Sequence, residues 1–153
     1  MGSTEFYARV GDKEAYRQIH EHFKINQKHI FTKKAIIIKT IGDCVMASLR
    51  NIEDVIEVAR KISREIDLEQ SFDFTLAIRY LVHRGQMIAV NFNTGIDYFG
   101  NNVDLSAKLQ AISNSNELSL SEVLYQELQN KKSSIKFEKR TYLNNRDGYV
   151  MSI

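Results

Sequence analysis

The stretch Ala35-Ile36-Ile37-Ile38-Lys39-Thr40-Ile41-Gly42-Asp43-Cys44-Val45-Met46-Ala47-Ser48-Leu49 decides the reading of the fold. Its first half is β-branched and too short for a typical helix, so it predicts a buried strand. Its second half predicts another. Two apolar runs joined by Gly-Asp read as a hairpin, with the glycine at the position that needs a positive φ. Working outward, Asn51 caps the clearest helix, whose apolar stripe is Ile52, Val55, Ile56, Ala59, Ile62 and Ile66. Glu53 and Asp54 sit in its first turn, where the helix dipole favours them. On the other side, Asp12 is expected to cap a helix with a stripe of Tyr16, Ile19, Phe23 and Ile30. Residues 1–10 are ambiguous, with an initial strand either missing or reduced to a stub over residues 1–8.

Further along, Phe72, Phe74, Leu76, Ile78, Tyr80 and Val82 alternate as a strand with one covered face. After a turn at Arg84-Gly85, Met87 to Phe92 is expected to be its neighbour. A helix is expected from about Asn102 to Ile112, and Ser121 caps a short one through Leu128. Two weaker strands follow near Ile135–Tyr142 and Tyr149–Ile153. Paired strands set between helices predict an α+β fold, a mainly antiparallel sheet with helices packed on it.

Composition bounds the function classes. The chain has 153 residues, one domain's worth. With 43% hydrophobic and 26% charged residues it is neither disordered nor fibrous. The absence of proline excludes a Pro-rich linker or polyproline ligand. A net charge of +2 is too mild to argue for nucleic acid. No apolar run reaches the roughly 18 residues of a membrane span, and the first residues lack a signal peptide's pattern. Cys44, the single cysteine, has no internal disulfide partner and points to a reducing, cytoplasmic setting.

Few residues suggest chemistry individually. Asp43 at the hairpin tip suits a hard cation such as Mg²⁺, but Gly-Asp is also ordinary turn chemistry. Lys39 in a β-branched run faces either a cleft or solvent at a strand edge. Asp97 reads equally as a residue of the turn before a helix. Asp104 and Lys108, spaced i, i+4, make a favourable helix pair whose bland reading is a solvated ion pair. His20 and His22 are two apart on a helix and share no face; His83 reads as a packed or turn residue, and Cys44 as a small buried hydrophobe. No Cys/His cluster has zinc spacing.

Taken together, the segments resemble the catalytic domain of the class III adenylate/guanylate cyclases. Lys39 to Ala47 is similar to that family's KTIGDxVMA hairpin, and Asp97 to Leu109 to its DYFGxxVNxAARL segment. Gly2-Ser3-Thr4 with Gly11-Asp12 resembles its GST…GD stretch. Val82-His83-Arg84-Gly85 resembles its GxHxG turn, with Leu81 where glycine is usual. The resemblance implies a ferredoxin-like α+β core lacking most of the first strand, a single domain over residues 1–153, and a head-to-tail homodimer or heterodimer. It implies conversion of ATP to 3′,5′-cyclic AMP and pyrophosphate, with Mg²⁺ or Mn²⁺ as cofactor.

By position, Asp43 corresponds to a metal aspartate, and Lys39 with Asp97 to the base-reading pair. A lysine only donates and an ionised aspartate only accepts, which matches the N1 acceptor and N6 donor of adenine and mismatches guanine. Asp104 stands where the family has a ribose-orienting asparagine, and Lys108 where it has a phosphate-contacting arginine. The family's other metal aspartate lies three residues before the Gly-Ser-Thr stretch, ahead of the first residue here, so a longer chain beginning upstream is one expectation. These departures set the expectation of a cyclase domain with weakened metal binding and little or no activity as this chain. The alternative is a non-catalytic module that binds nucleotide or regulates an intact partner domain.

Overall fold

The computed structural model describes residues 3–69, 77–93, 95–142 and 145–153. They form two compact units, residues 1–76 and 77–153. In the first unit the order is α1 (Ser3–Val10), α2 (Asp12–Phe31), β1 (Ile36–Ile41), β2 (Cys44–Ser48) and α3 (Ile52–Leu68). Residues 3–10 are therefore helical, not a strand stub. The Gly11 N–H closes α1 on the Tyr7 carbonyl, and the Gly11 carbonyl opens α2 by accepting from Ala15. The cap position is thus Gly11, and Asp12 is already helical.

Asn51 caps α3 as its sequence predicts, its side chain accepting from the Asp54 N–H at 2.8 Å. Ile52, Ile56, Ala59, Ile62 and Ile66 are buried. On α2 the buried face differs from the apolar stripe. It is Ala15, Gln18, His22, Ile25, Asn26 and Ile30, while Tyr16 is 67% exposed. Local hydrogen bonds partly offset the burial of these polar residues: Gln18 Nε2 donates to Glu14 at 2.7 Å, although Gln18 Oε1 is buried without a partner, and Asn26 Nδ2 donates to the His22 carbonyl at 2.8 Å. Across to α3, Lys28 and His29 both meet Glu65, and Lys33 meets Asp54 and Glu57.

The β1–β2 hairpin packs on α2. Its pairing runs Ile36 with Ser48 to Ile41 with Cys44, and a bulge falls between Ile37 and Lys39. Gly42 takes φ +60° at the turn, where a side chain is strained. Cys44 is exposed, contrary to its expected burial, because it is paired with exposed Ile41 at the turn end of the ladder.

The second unit contains β3 (Arg79–Val82), β4 (Ile88–Phe92), β5 (Gly95–Phe99), α4 (Asn101–Lys108), a 3₁₀ turn (Leu109–Ile112), β6 (Glu117–Ser121), α5 (Glu122–Asn130), β7 (Glu138–Tyr142) and β8 (Arg146–Ser152). A four-stranded sheet runs β3-β6-β8-β7, parallel between β3 and β6 and antiparallel elsewhere. Leu109, Ile112, Tyr142 and Val150 form a core cluster with Leu81 against it. β6 is buried from Leu118 to Ser121, as a strand covered on both faces must be.

Phe72, Phe74 and Leu76 lie outside the described residues, and the strand seen is Arg79–Val82. Its neighbour is β6, not the 87–92 segment. That segment pairs with β5 in a hairpin of its own, so Asp97 lies within a strand. Ser121 stands at the cap of α5, but its hydroxyl makes no capping bond.

Candidate active site

In the first unit the β1–β2 hairpin carries Lys39 and Asp43. Asp43 is exposed at the turn, directly after Gly42. Lys39 is half-buried, opposite Met46. Ile37, Ile38 and Lys39 are all half-buried, where an unbroken strand would alternate; the bulge shifts the phase and re-aims Lys39.

His22, a weak signal in the sequence, lies behind this turn. Asn26 Nδ2 donates to the His22 carbonyl at 2.8 Å and lies 3.0 Å from its Nδ1. A carbonyl only accepts, so the amide orientation is fixed and Nδ1 must accept too. The ring proton is then on Nε2, and the imidazole donates to the Asp43 backbone carbonyl. Burial holds the His22 pKa below its ordinary value, against the opposing pull of that carbonyl and the Asp43 charge. A neutral ring thus braces the turn that presents Asp43. The available signal was the i, i+4 spacing of His22 and Asn26.

In the second unit, β5 and α4 adjoin and carry Asp97, Asp104 and Lys108. Asp97 is half-buried, paired with Val90, and its Oδ1 accepts from the Tyr98 N–H at 2.7 Å. Asp104 and Lys108 form the helix ion pair, with side chains 57% and 42% exposed. At 83–102 a further polar cluster appears: His83 Nε2 lies 2.9 Å from Asn102 Oδ1, and Asn102 Nδ2 donates to the Gln86 carbonyl at 2.8 Å. Lys39 and Asp43 thus lie on one hairpin of the first unit, and Asp97, Asp104 and Lys108 on two adjoining elements of the second.

As for a metal, among the described residues no three His, Cys, Asp or Glu side chains converge. The donors do not form a preformed cage for two cations. The exposed Asp43 carboxylate fits a Mg²⁺ held jointly by one protein oxygen donor and substrate phosphates, the usual manner for that ion. No helix among the described residues is long and apolar enough to cross a membrane.

Comparison with known proteins identifies the family. A profile of the family described as the adenylate and guanylate cyclase catalytic domain matches residues 1–151. No curated protein sequence matches. Among solved structures, the monomeric guanylyl cyclase domain of the RhoGC fusion protein from the aquatic fungus Blastocladiella emersonii, in a double-mutant form, is 16% identical. That alignment covers 97% of this chain and 88% of that one, with a TM-score of 0.82. The adenylyl cyclase CyaB from P. aeruginosa is 19% identical over 97% and 86% of the two chains, with a TM-score of 0.77. The guanylate cyclase domain of RhGC from Catenaria anguillulae, solved with GTP, is 13% identical over 99% and 91%, with a TM-score of 0.82. These structures share the α+β fold, and the profile spans all but the last two residues of the sequence, both hairpin and α4 motifs included. The chain belongs to the family of adenylate and guanylate cyclase catalytic domains, the class III nucleotidyl cyclases.

Proposed function

We propose that this domain binds ATP in preference to GTP and forms 3′,5′-cyclic AMP from it weakly or not at all as this chain. In the reaction the ribose 3′-oxygen bonds to the α-phosphorus, the bond from that phosphorus to the pyrophosphate oxygen breaks, and the 3′-hydroxyl proton leaves. Lys39 donates to N1 of adenine and Asp97 accepts from its N6 amine. Asp43 would hold Mg²⁺ or Mn²⁺ with the phosphates; a bound cation would neutralise the triphosphate and its leaving group. Residues 1–153 act as one domain, a reading supported by the reach of the family profile.

The observation that carries the low activity is the Asp104–Lys108 ion pair. Lys108 occupies the position of a phosphate-contacting arginine, yet its ammonium is held by the carboxylate one turn earlier. A lysine also lacks the planar fork that grips phosphate in two places. Asp104 adds an anion beside the α4 face proposed to meet the triphosphate. The same observation favours the second reading, a non-catalytic nucleotide-binding or regulatory partner of another cyclase domain. Dimerisation is supported by the β4–β5 hairpin, which leaves Ile88, Phe92, Ile96 and Phe99 exposed. The exposed free thiol of Cys44 suits a reducing, cytoplasmic location.

The test is cyclic AMP formation from ATP and from GTP with Mn²⁺, comparing the natural chain with Asp104→Asn/Lys108→Arg. The double variant is expected to be at least about tenfold faster with ATP, in line with one added charge-assisted contact. Robust cyclic AMP formation by the natural chain, equal to the double variant, refutes the low-activity reading. ATP binding without product from either protein supports the regulatory one.

A further inference from the structure

We propose that Asn102 is a positioning residue: seated by His83 and the Gln86 carbonyl, it fixes the first turn of α4 and so the direction in which Asp104 and Lys108 are presented. The inference rests on the reading of α4 as a nucleotide-facing helix.

α4 is poorly held by its own sequence. None of its eight side chains is buried, and its cap position, Gly100, contributes no side-chain bond. Its C-terminal end is anchored, because the chain runs directly into the 3₁₀ turn whose Leu109 and Ile112 enter the core. Its N-terminal end needs another anchor, and Asn102 supplies it. The Asn102 amide bonds at both ends, accepting from His83 Nε2–H at 2.9 Å and donating to the Gln86 carbonyl at 2.8 Å. Because the Gln86 carbonyl only accepts, the amide nitrogen must face it and the amide oxygen must face His83. The imidazole therefore carries its proton on Nε2.

Gly85 completes the seat. A Cβ there would lie 2.2 Å from Asn102 Cγ, well inside any real contact. The amide thus lies directly on a bare backbone between its two partners. Aspartate at 102 would keep the bond from His83 and lose the one to Gln86. An apolar residue would lose both. The turn after β3 and the second residue of α4 are joined by shape as well as by hydrogen bonds. Asp104 follows two residues later, and Lys108 closes the helix.

The experiment measures amide hydrogen exchange and the binding of a fluorescent ATP analogue in the natural chain, Asn102→Ala, His83→Phe, His83→Gln and Gly85→Ala. Losing two hydrogen bonds predicts about ten- to hundredfold faster exchange at Val103, Asp104 and Leu105 in Asn102→Ala, with β6 and β8 unchanged. His83→Phe and Gly85→Ala are expected to show the same local change. His83→Gln keeps an N–H donor and is expected to restore protection. Affinity for the analogue is expected to fall about tenfold in Asn102→Ala and to stay unchanged in His83→Gln, which a general loss of stability would not reproduce. Unchanged exchange at α4 in Asn102→Ala overturns the proposal. So does exchange that quickens equally in β6 and β8, or faster α4 exchange with no change in affinity. If the natural chain binds no nucleotide, the nucleotide-facing reading of α4 fails and the positioning role falls with it, while the exchange measurement still shows whether the latch itself exists.

Discussion

Replacing Arg140 with methionine tests how the second unit holds the segment that follows α4. The guanidinium makes five hydrogen bonds. Nη1 donates to the Ile112 carbonyl and to Glu117 Oε2, both at 2.7 Å; Nη2 donates to Glu117 Oε1 at 2.9 Å and to Glu138 Oε2 at 3.1 Å; Nε donates to Glu138 Oε1 at 3.0 Å. Arg140 and Glu117 are 23% and 14% exposed, so water substitutes for the lost bonds poorly. Glu138 is 65% exposed, and its share is small. Removing the arginine leaves a mostly buried carboxylate without its cation and strips a donor from the carbonyl that ends the 3₁₀ turn.

The two-point bond to Glu117, counted as one unit, and the charge-assisted bond to the Ile112 carbonyl together contribute about 3 kcal/mol, each taken at about 1.5, the low end for such bonds, because the pair is not fully buried. For a chain of about 150 residues that is a fall of roughly 6–12 °C in the melting midpoint. Arg140→Lys keeps the charge without the fork and should lose about half as much. Glu138→Gln should lose less than about 0.5 kcal/mol. The assay is thermal and urea unfolding followed by circular dichroism. A midpoint for Arg140→Met within about 2 °C of the natural chain, or equal losses for Glu138→Gln and Arg140→Met, would mean that Arg140 does not hold this segment.

Two further outcomes follow from the same kind of accounting. Arg140, and then the Asn114 N–H, hold the Glu117 carboxyl below the usual range against the opposing effect of burial. A carboxylate depressed in the folded state adds stability that is fully present above the unfolded value, about 4.3, and is lost as the pH falls through the folded value. The urea midpoint of the natural chain should therefore drop more steeply between about pH 5 and 3 than that of Glu117→Gln; parallel slopes would contradict this. Asn51→Ala removes the α3 cap bond at 2.8 Å and the Asn51 Nδ2 bond to Asp54 at 2.7 Å, and should cost about 1 kcal/mol in urea unfolding. A neutral result would mean that the cap adds nothing to α3.

What could be read from the sequence was what local periodicity encodes. The α3 stripe, the Asn51 cap, the β1–β2 hairpin and the helix after Gly100 all depend on neighbours within a turn or a strand. The rest depended on partners distant in the chain. β3 and β6 pair in parallel across more than thirty residues, and nothing in Arg79–Val82 specifies Glu117–Ser121. The buried face of α2 escaped an apolar pattern because Gln18, His22 and Asn26 lie on it. The site divided in the same way. Asp43, Lys39, Asp97, Asp104 and Lys108 stood out as members of two contiguous motifs. His22 owes its importance to a turn twenty-one residues later, and Asn102 to a glycine that a single-residue reading treats as a turn marker.

The placement of Asp104 and Lys108 shows why function and fold can vary separately here. Both side chains are exposed, and an i, i+4 pair of this kind contributes only about 0.3–0.5 kcal/mol. Arg140, by contrast, stands on β7, joined to the turn that anchors the end of the same helix. The helix is held from outside its exposed face: by Asn102 against Gly85 at one end, and by Leu109 and Ile112 at the other. Substitutions at 104 and 108 therefore alter the charge on the exposed face of α4 while leaving the helix's support intact. Asp104→Asn/Lys108→Arg should melt within about 2 °C of the natural chain. A change in its turnover then reports chemistry rather than folding. A larger shift in melting would mean that the pair supports the helix, and would remove the grounds for reading its two residues as departures in function alone.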